Sequence, residues 1–285
     1  MFMKTIAKTL SKIAAPSLLI VCCSLAQAHG AAVPGDVCEA FDITRRAESL
    51  QESPAKGAAQ TKASTPQYVE LGRSIRGRSI QAIIYGTGKK RVTVIGGIHG
   101  NEPATTVVAR ALAVTLGGGS IPAGLTVIVM PDANPDGLLS GTRVNGGGVD
   151  INRNFPSSSW RREYEDEGHH PGAAPASEPE TRAIMSLLER YPPDLLITLH
   201  AAMGCVNWDG PAFRTATVVA RVNGYPLCPY LGYETPGSLG TYAGVDRRIP
   251  MVTIELRDTN AVDLVTQNLP ALLAALNDFA STVTK

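Results

Sequence analysis

Apolar runs and helical repeats alternate along the chain from Gln67 onward, and their spacing predicts most of the elements. Tyr68 to Leu71 and Ser79 to Tyr85 read as two strands around a turn at Arg76-Gly77. Arg91 to Ile98 (RVTVIGGI) is a β-branched run ending in glycines, which predicts a buried strand opening into a loop. Pro103 to Leu116 has helical spacing and stops at Gly117-Gly118-Gly119. Leu125 to Met130 is another apolar strand. Ser177-Glu178-Pro179-Glu180 opens a helix, with Ser177 as its cap and Glu180 where a capping box places its acid. Asp194 to Leu199 predicts a strand ending at His200, and Met251 to Leu256 a strand carrying Glu255. Val262 to Val283 predicts a closing helix.

Strands alternate with helices, and the strand runs are apolar throughout. That pattern predicts a single α/β domain: a mixed, mostly parallel, twisted sheet with helices on both faces. In such sheets ligands bind beyond the carboxyl ends of the strands. His99, His200 and Glu255 all fall at or near predicted strand ends, so residues remote in sequence can converge there. The Gly/Asn/Pro-rich stretch from Pro131 to about Ala176 is too long for a plain connection and is expected to carry function.

The first 66 residues lack this patterning. Lys4, Lys8 and Lys12, an apolar stretch from Ile13 to Leu25, and Ala26-Gln27-Ala28 form a cleavable signal peptide over 1–28. Residues 29–66 are rich in Ala, Ser, Pro, Gln and charge and read as a flexible lead-in. The catalytic domain is placed at 67–285. The expectation is therefore a periplasmic or secreted protein with no membrane attachment after cleavage.

Composition narrows the partners. The 285 residues are 44% hydrophobic with a formal net charge of +1, which supplies one core and no bulk attraction to nucleic acid. A monomer is expected. Cleavage after Ala28 leaves Cys38, Cys205 and Cys228, enough for one disulfide in an oxidising compartment.

The candidate chemistry lies in five short stretches. His99-Gly100-Asn101-Glu102 follows a strand directly, so an imidazole and a carboxylate three residues apart can turn to one point. Zinc accepts both donor types, and a catalytic site uses three protein ligands and keeps one position open. His200 ends the apolar run LLITLH and is the natural third ligand; a core histidine bonded to a carbonyl is the alternative. His169 and His170 sit in a polar loop and read as surface. Glu255 lies inside MVTIEL, where a bare carboxylate is costly, so it is either a base or the partner of an arginine such as Arg257. In the long loop, Arg143 suits a developing oxyanion, and Asn152 with Arg153 suits a terminal carboxylate, which a guanidinium grips through two parallel bonds.

Together, His99-x-x-Glu102, Asn134-Pro-Asp-Gly137, Gly148-Val-Asp-x-Asn-Arg-Asn-Phe155, His200 and Glu255-Leu-Arg-Asp258 resemble the zinc metallocarboxypeptidases of the pancreatic type, in matching order and separation. The resemblance runs from about Gln67 to the C-terminus. It implies one zinc per chain on His99, Glu102 and His200, with Arg143 polarising the substrate carbonyl and Glu255 as general base. Asn152 and Arg153 would hold the substrate carboxylate. A family tyrosine that closes over the substrate would be Tyr233, with Tyr242 as a rival. Within the family, Cys205 to Pro211 and Gly237 to Gly244 resemble murein peptide amidases, which trim diaminopimelate-containing peptides. A peptide with a free terminal carboxylate is the expected substrate. Two other functions stay open at this point: a zinc deacylase of N-acyl amino acids, and an inactive peptide-binding module.

Overall fold

The computed structural model describes residues 65–258 and 260–283. The expected signal peptide, nearly all of the lead-in and Cys38 lie outside them. Six strands form one sheet: β1 (Gln67–Arg73), β2 (Ser79–Tyr85), β3 (Lys90–Ile95), β4 (Leu125–Met130), β5 (Leu195–Asp209) and β6 (Met251–Arg257). Their order is β1-β2-β4-β3-β5-β6. β1 pairs with β2, and β2 with β4, in antiparallel register; β4, β3, β5 and β6 form the parallel part. This is the mixed α/β sheet that the alternation of strands and helices predicted.

Among the described residues there are five α-helices: α1 (Pro103–Gly117), α2 (Pro135–Ser140), α3 (Pro179–Arg190), α4 (Phe213–Asn223) and α5 (Ala261–Val283). α3 packs on β1 and β2, while α5 packs on α1 and α4. β4 (LTVIVM) is buried at every position. Each large aliphatic side chain so buried contributes roughly 1.5–3 kcal/mol of transfer free energy, which is why this strand sits at the centre of the sheet. No helix among the described residues is long and apolar enough to cross a membrane.

β5 does more than the sequence pattern indicated. Its partners on β6 climb in parallel register from Leu196↔Met251 to Ala202↔Arg257. They then descend from Met203↔Arg257 to Asp209↔Met251. β6 is thus flanked on both edges by the two halves of β5, and Glu255 lies between His200 and Cys205. The run AAMGCVNWD concealed this return, because Gly204 and the cavity-lining Asn207 and Asp209 interrupt the apolar pattern that marks the first half of the strand.

Three further differences have local causes. The stretch from Pro131 to Ala176 contains α2, capped by Asn134, whose Oδ1 accepts from Gly137 N–H at 2.9 Å. Its three-residue 3₁₀ turns, Ile151–Arg153 and Glu167–His169, are too short for a periodicity signal. The capping box at α3 does not form: Glu178 is the cap residue and makes no side-chain cap bond. Glu180 is instead buried and accepts from Asn145 Nδ2 at 2.9 Å and from Ile75 N–H at 3.4 Å. The Ser177 hydroxyl is used by Asn154 and Glu178. Pro179 at the first helical position supplies the fixed φ that starts the helix.

Candidate active site

The sheet delivers three donors to one point. His99 and Glu102 lie in the turn between β3 and α1, and His200 lies on β5, beside β3. One ligand atom from each lies within 4.8 Å of the other two, and all three side chains are buried. His99 Nδ1 is 2.7 Å from Glu102 Oε1 and 3.2 Å from His200 Nδ1, which in turn is 3.2 Å from Glu102 Oε2. Two imidazole nitrogens and a carboxylate oxygen form the donor set of a catalytic zinc site. The 3.2 Å between the two ring nitrogens is close to the roughly 3.3 Å that separates two ligands on a tetrahedral zinc bonded at about 2.0–2.1 Å. The residues present therefore fit the metal.

The electrostatics follow from that crowding. Burial alone would raise the Glu102 carboxyl, but the neighbouring imidazoles outweigh it and bring it down to about 2. Burial disfavours a charged His99, yet Asp150 and Glu102 raise its pKa above the ordinary histidine value.

The run from Gly148 to Phe155 assigns each polar residue a separate contact. Asp150, fully buried, accepts from His99 Nε2 at 3.2 Å and from Arg143 Nε at 2.9 Å, and its Oδ1 also accepts the Asn152 N–H at 2.8 Å. Asn152 Oδ1 accepts from Leu239 N–H at 2.9 Å. Asn154 Nδ2 donates to Pro171 O and Ala174 O, which folds the following loop inward. Phe155 is buried against Tyr242, ring centroids 5.4 Å apart. The sequence alone gives Asp150 no role. Its only signal is an acid in a motif otherwise occupied by amides and arginine.

Arg143 reaches the cluster edge, with Nη1 3.3 Å from His99 Nδ1. Arg153 is buried, and its Nη1 donates to Asn152 O at 2.9 Å. Among the described residues it has no carboxylate within ion-pair distance. Both line a cavity of about 580 Å³ together with His99, Glu102, Asn152, His200, Tyr233 and Glu255.

Glu255 is buried beside His200 on the next strand. Burial, and then the nearby Glu102 charge, raise its carboxyl above the ordinary value, against a partial offset from His200. Arg257 is not its partner, since that guanidinium stacks on the Tyr225 ring, 4.7 Å from the centroid. Tyr233 is 46% exposed and lines the cavity, whereas Tyr242 is 1% exposed, packed in the core under Arg247. Of the two candidates only Tyr233 can meet a substrate. Its hydroxyl is pushed up by burial and by the Glu255 charge. His169 pairs with Asp166 at 3.0 Å and His170 stacks on Tyr164, so both stay outside the donor cluster.

Comparison with known proteins agrees with this geometry. Residues 55–216 match the sequence profile of a family described as zinc carboxypeptidase. The murein peptide amidase A of Escherichia coli K12 is 32% identical over 173 residues, covering 57% of this chain and 69% of that protein. Its counterpart in Vibrio campbellii is 32% identical over 199 residues, covering 65% and 77%. The crystal structure of the murein-tripeptide amidase from Escherichia coli O157 superposes with a TM-score of 0.62 at 25% identity, covering 76% of this chain and 98% of that one. Tyr233 and Glu255 lie beyond the residues matched by the family profile.

Proposed function

Because the chain belongs to the zinc carboxypeptidase family and is a zinc-dependent peptide hydrolase, we propose that it removes the terminal residue of murein peptides in the periplasm. The observation that carries the exopeptidase reading is Arg153, a buried guanidinium lining the cavity with no carboxylate among the described residues within ion-pair distance. A buried charge without a partner is costly, and a ligand carboxylate removes that cost.

We assign His99, Glu102 and His200 as the zinc ligands. Bound there, zinc supplies Lewis acidity that polarises the substrate carbonyl and lowers the pKa of water. Arg153 and Asn152 clamp the substrate carboxylate and fix which bond lies at the donor cluster. Arg143, whose Nη1 lies 3.3 Å from His99 Nδ1, stabilises the charge that develops on the carbonyl oxygen. Glu255, its pKa raised by burial, takes the proton of the attacking water and returns it to the leaving amine. Tyr233, on an exposed segment at the cavity rim, covers the terminal residue and excludes solvent.

The murein substrate and periplasmic location draw on two supports: the named relatives, and the signal-like first 28 residues, which fall outside the described residues. Digestion of purified murein peptides, with and without a chelator and read by mass spectrometry, tests the reading. Release of a single terminal residue, lost with chelator, is expected, together with about one zinc per chain that His200→Ala loses. Cleavage of N-acyl amino acids in preference to peptides would favour a deacylase instead.

A further inference from the structure

Arg143 and Asp150 meet beside the donor cluster although they lie seven positions apart in the chain. The turn between them is closed by one side chain. Asn145 is 4% exposed. Its N–H donates to Val149 O at 2.8 Å, and its carbonyl accepts the Gly148 N–H at 3.1 Å. Its Oδ1 accepts the N–H groups of Gly147 and Val149, each at 3.0 Å. These bonds bring Asp150, which follows Val149, back alongside Arg143, and Arg143 Nη2 lies 2.8 Å from Asp150 Oδ2. Gly148, with φ at +81°, supplies the backbone conformation that the reversal needs.

The other end of the same amide ties the turn to α3. Asn145 Nδ2 donates to Glu178 Oε2 at 2.8 Å and to Glu180 Oε2 at 2.9 Å. Both carboxylates are buried, and neither forms an ion pair among the described residues. A carboxamide has two acceptor sites and two N–H donors, and here all four are used. A carboxylate of the same size can only accept, and would face two others. Two buried carboxylates gathered on one amide are costly to desolvate, and a fully satisfied network of this kind fixes a single arrangement.

The start of α3 holds the far end of the run as well. The Glu178 N–H donates to Asn154 Oδ1 at 3.1 Å, and Asn154 Nδ2 donates to Ser177 Oγ at 2.9 Å. Asp150, Asn152 and Arg153 therefore lie between two anchors, Asn145 and Asn154, that share one support. Asn145 is not among the residues lining the cavity, so any effect it has on the reaction passes through Arg143 and Asp150.

We propose that Asn145 is a positioning residue for the reaction: bridged to Glu178 and Glu180, it keeps Asp150 behind His99 and Arg143 at the edge of the donor cluster. This rests on the reading above that His99 is a zinc ligand and that Arg143 stabilises the carbonyl oxygen. Arg153 sits beside the Asn154 anchor, which a change at Asn145 leaves in place. Zinc affinity and kcat are therefore expected to respond more than KM.

The test measures zinc affinity by competition with a chelator, and kcat and KM of the zinc-loaded chain on a purified murein peptide, all far below the melting temperature. Asn145→Asp keeps the size and the Oδ1 acceptor and removes both donors. Zinc affinity should fall by at least about fivefold, less than for a group that itself touches the metal-binding imidazole. The kcat should fall by about tenfold, short of the roughly hundredfold lost with a donor to a developing oxyanion, while KM stays within about twofold. Adding Glu178→Gln to Asn145→Asp reverses the hydrogen bond, with the new amide donating to the new carboxylate, and should bring both quantities back to within about threefold of wild type. Glu178→Met, which removes the acceptor, should act in the direction of Asn145→Asp. A double variant no better than Asn145→Asp overturns the bridge to Glu178. Wild-type kcat and zinc affinity in either folded single variant, even with a lower melting temperature, overturn the positioning role, and so does loss of folding in both. If wild type holds zinc but cleaves no peptide, the peptidase reading falls and with it the part played through Arg143, while the zinc affinities of the variants still decide the part played through Asp150. If wild type holds no zinc, the ligand assignment falls and takes this inference with it.

Discussion

His99 and Asp150, 51 residues apart in the chain, face each other at 3.2 Å through His99 Nε2 and a carboxylate oxygen. With Asp150 accepting the Nε2 proton, Nδ1 keeps its lone pair and points at Glu102 and His200. A carboxylate behind a metal-binding imidazole fixes its tautomer and raises its basicity. Asp150→Asn should therefore weaken zinc binding by about 10- to 100-fold, measured by competition with a chelator. An unchanged affinity in a variant with wild-type melting temperature would remove Asp150 from the support of the metal site.

Glu255→Gln keeps the shape of the side chain and removes the proton acceptor. Zinc content should be retained, and kcat should fall by at least about a hundredfold, the lower end of general-base contributions. Near-normal turnover would exclude Glu255 as the base.

Arg153→Ala should cost about 2–5 kcal/mol in kcat/KM on a peptide with a free terminal carboxylate, the range for truncating one partner of a buried charge pair. The loss should be much smaller on the corresponding amide, which never engages the guanidinium. Comparing wild type and variant on acid and amide isolates the contact. Equal cleavage of acid and amide by wild type would replace the exopeptidase reading with cleavage inside chains.

Asp136 gives a pH dependence through groups that take no part in the donor cluster. Burial would raise its carboxyl, but the Arg76 N–H, the Arg78 guanidinium and Ser74 hold it below the ordinary value. A carboxyl depressed in the folded state contributes stability that is complete above the unfolded pKa and is lost as pH falls through the folded one. Wild type should lose stability below about pH 4, the unfolded aspartate range, more steeply than Asp136→Asn. Denaturant midpoints of both proteins between neutral and acid pH check this; parallel curves count against it.

Cys205 and Cys228 should form the one disulfide of the described residues when the purified thiol form is exchanged with oxidised glutathione, which is reduced to two thiols for each bridge formed. Residues 226–228 run beside Val206, with Val206 N–H to Pro226 O at 2.9 Å and Cys228 N–H to Val206 O at 2.8 Å. The Cys205 thiol is pushed up to about 12 by burial, by Cys228 and by Glu255. Cys228 is thus expected to be the attacking thiol. Non-reduced peptide mapping decides; a bridge to Cys38, or thiols that persist, counts against it.

The sequence by itself determined the layered α/β architecture. Runs such as RVTVIGGI, LTVIVM and MVTIEL are short, β-branched and largely apolar, which marks them as buried strands, and the glycines after the first free the backbone to turn at His99. It also determined the candidate metal ligands and Glu255, because a carboxylate or imidazole carried into the interior by an apolar run is costly there without a metal, a proton or an opposite charge. Short-range signals were less secure: Ser177 and Glu180 fit a capping box, but a buried Asn145 from another segment drew the glutamate away. Only the tertiary structure could show that β5 turns back along the far edge of β6. That return depends on hydrogen bonds to a strand more than forty residues later, and Gly204, Asn207 and Asp209 break the apolar run that marks the first half of β5. The choice between Tyr233 and Tyr242 was likewise a matter of packing, since one ring fills the core beside Phe155 and the other stands at the rim. Asp150 became legible in the same way. Local sequence shows that an acid is present, but what a carboxylate does depends on which donors reach it, and those donors come from elsewhere in the fold.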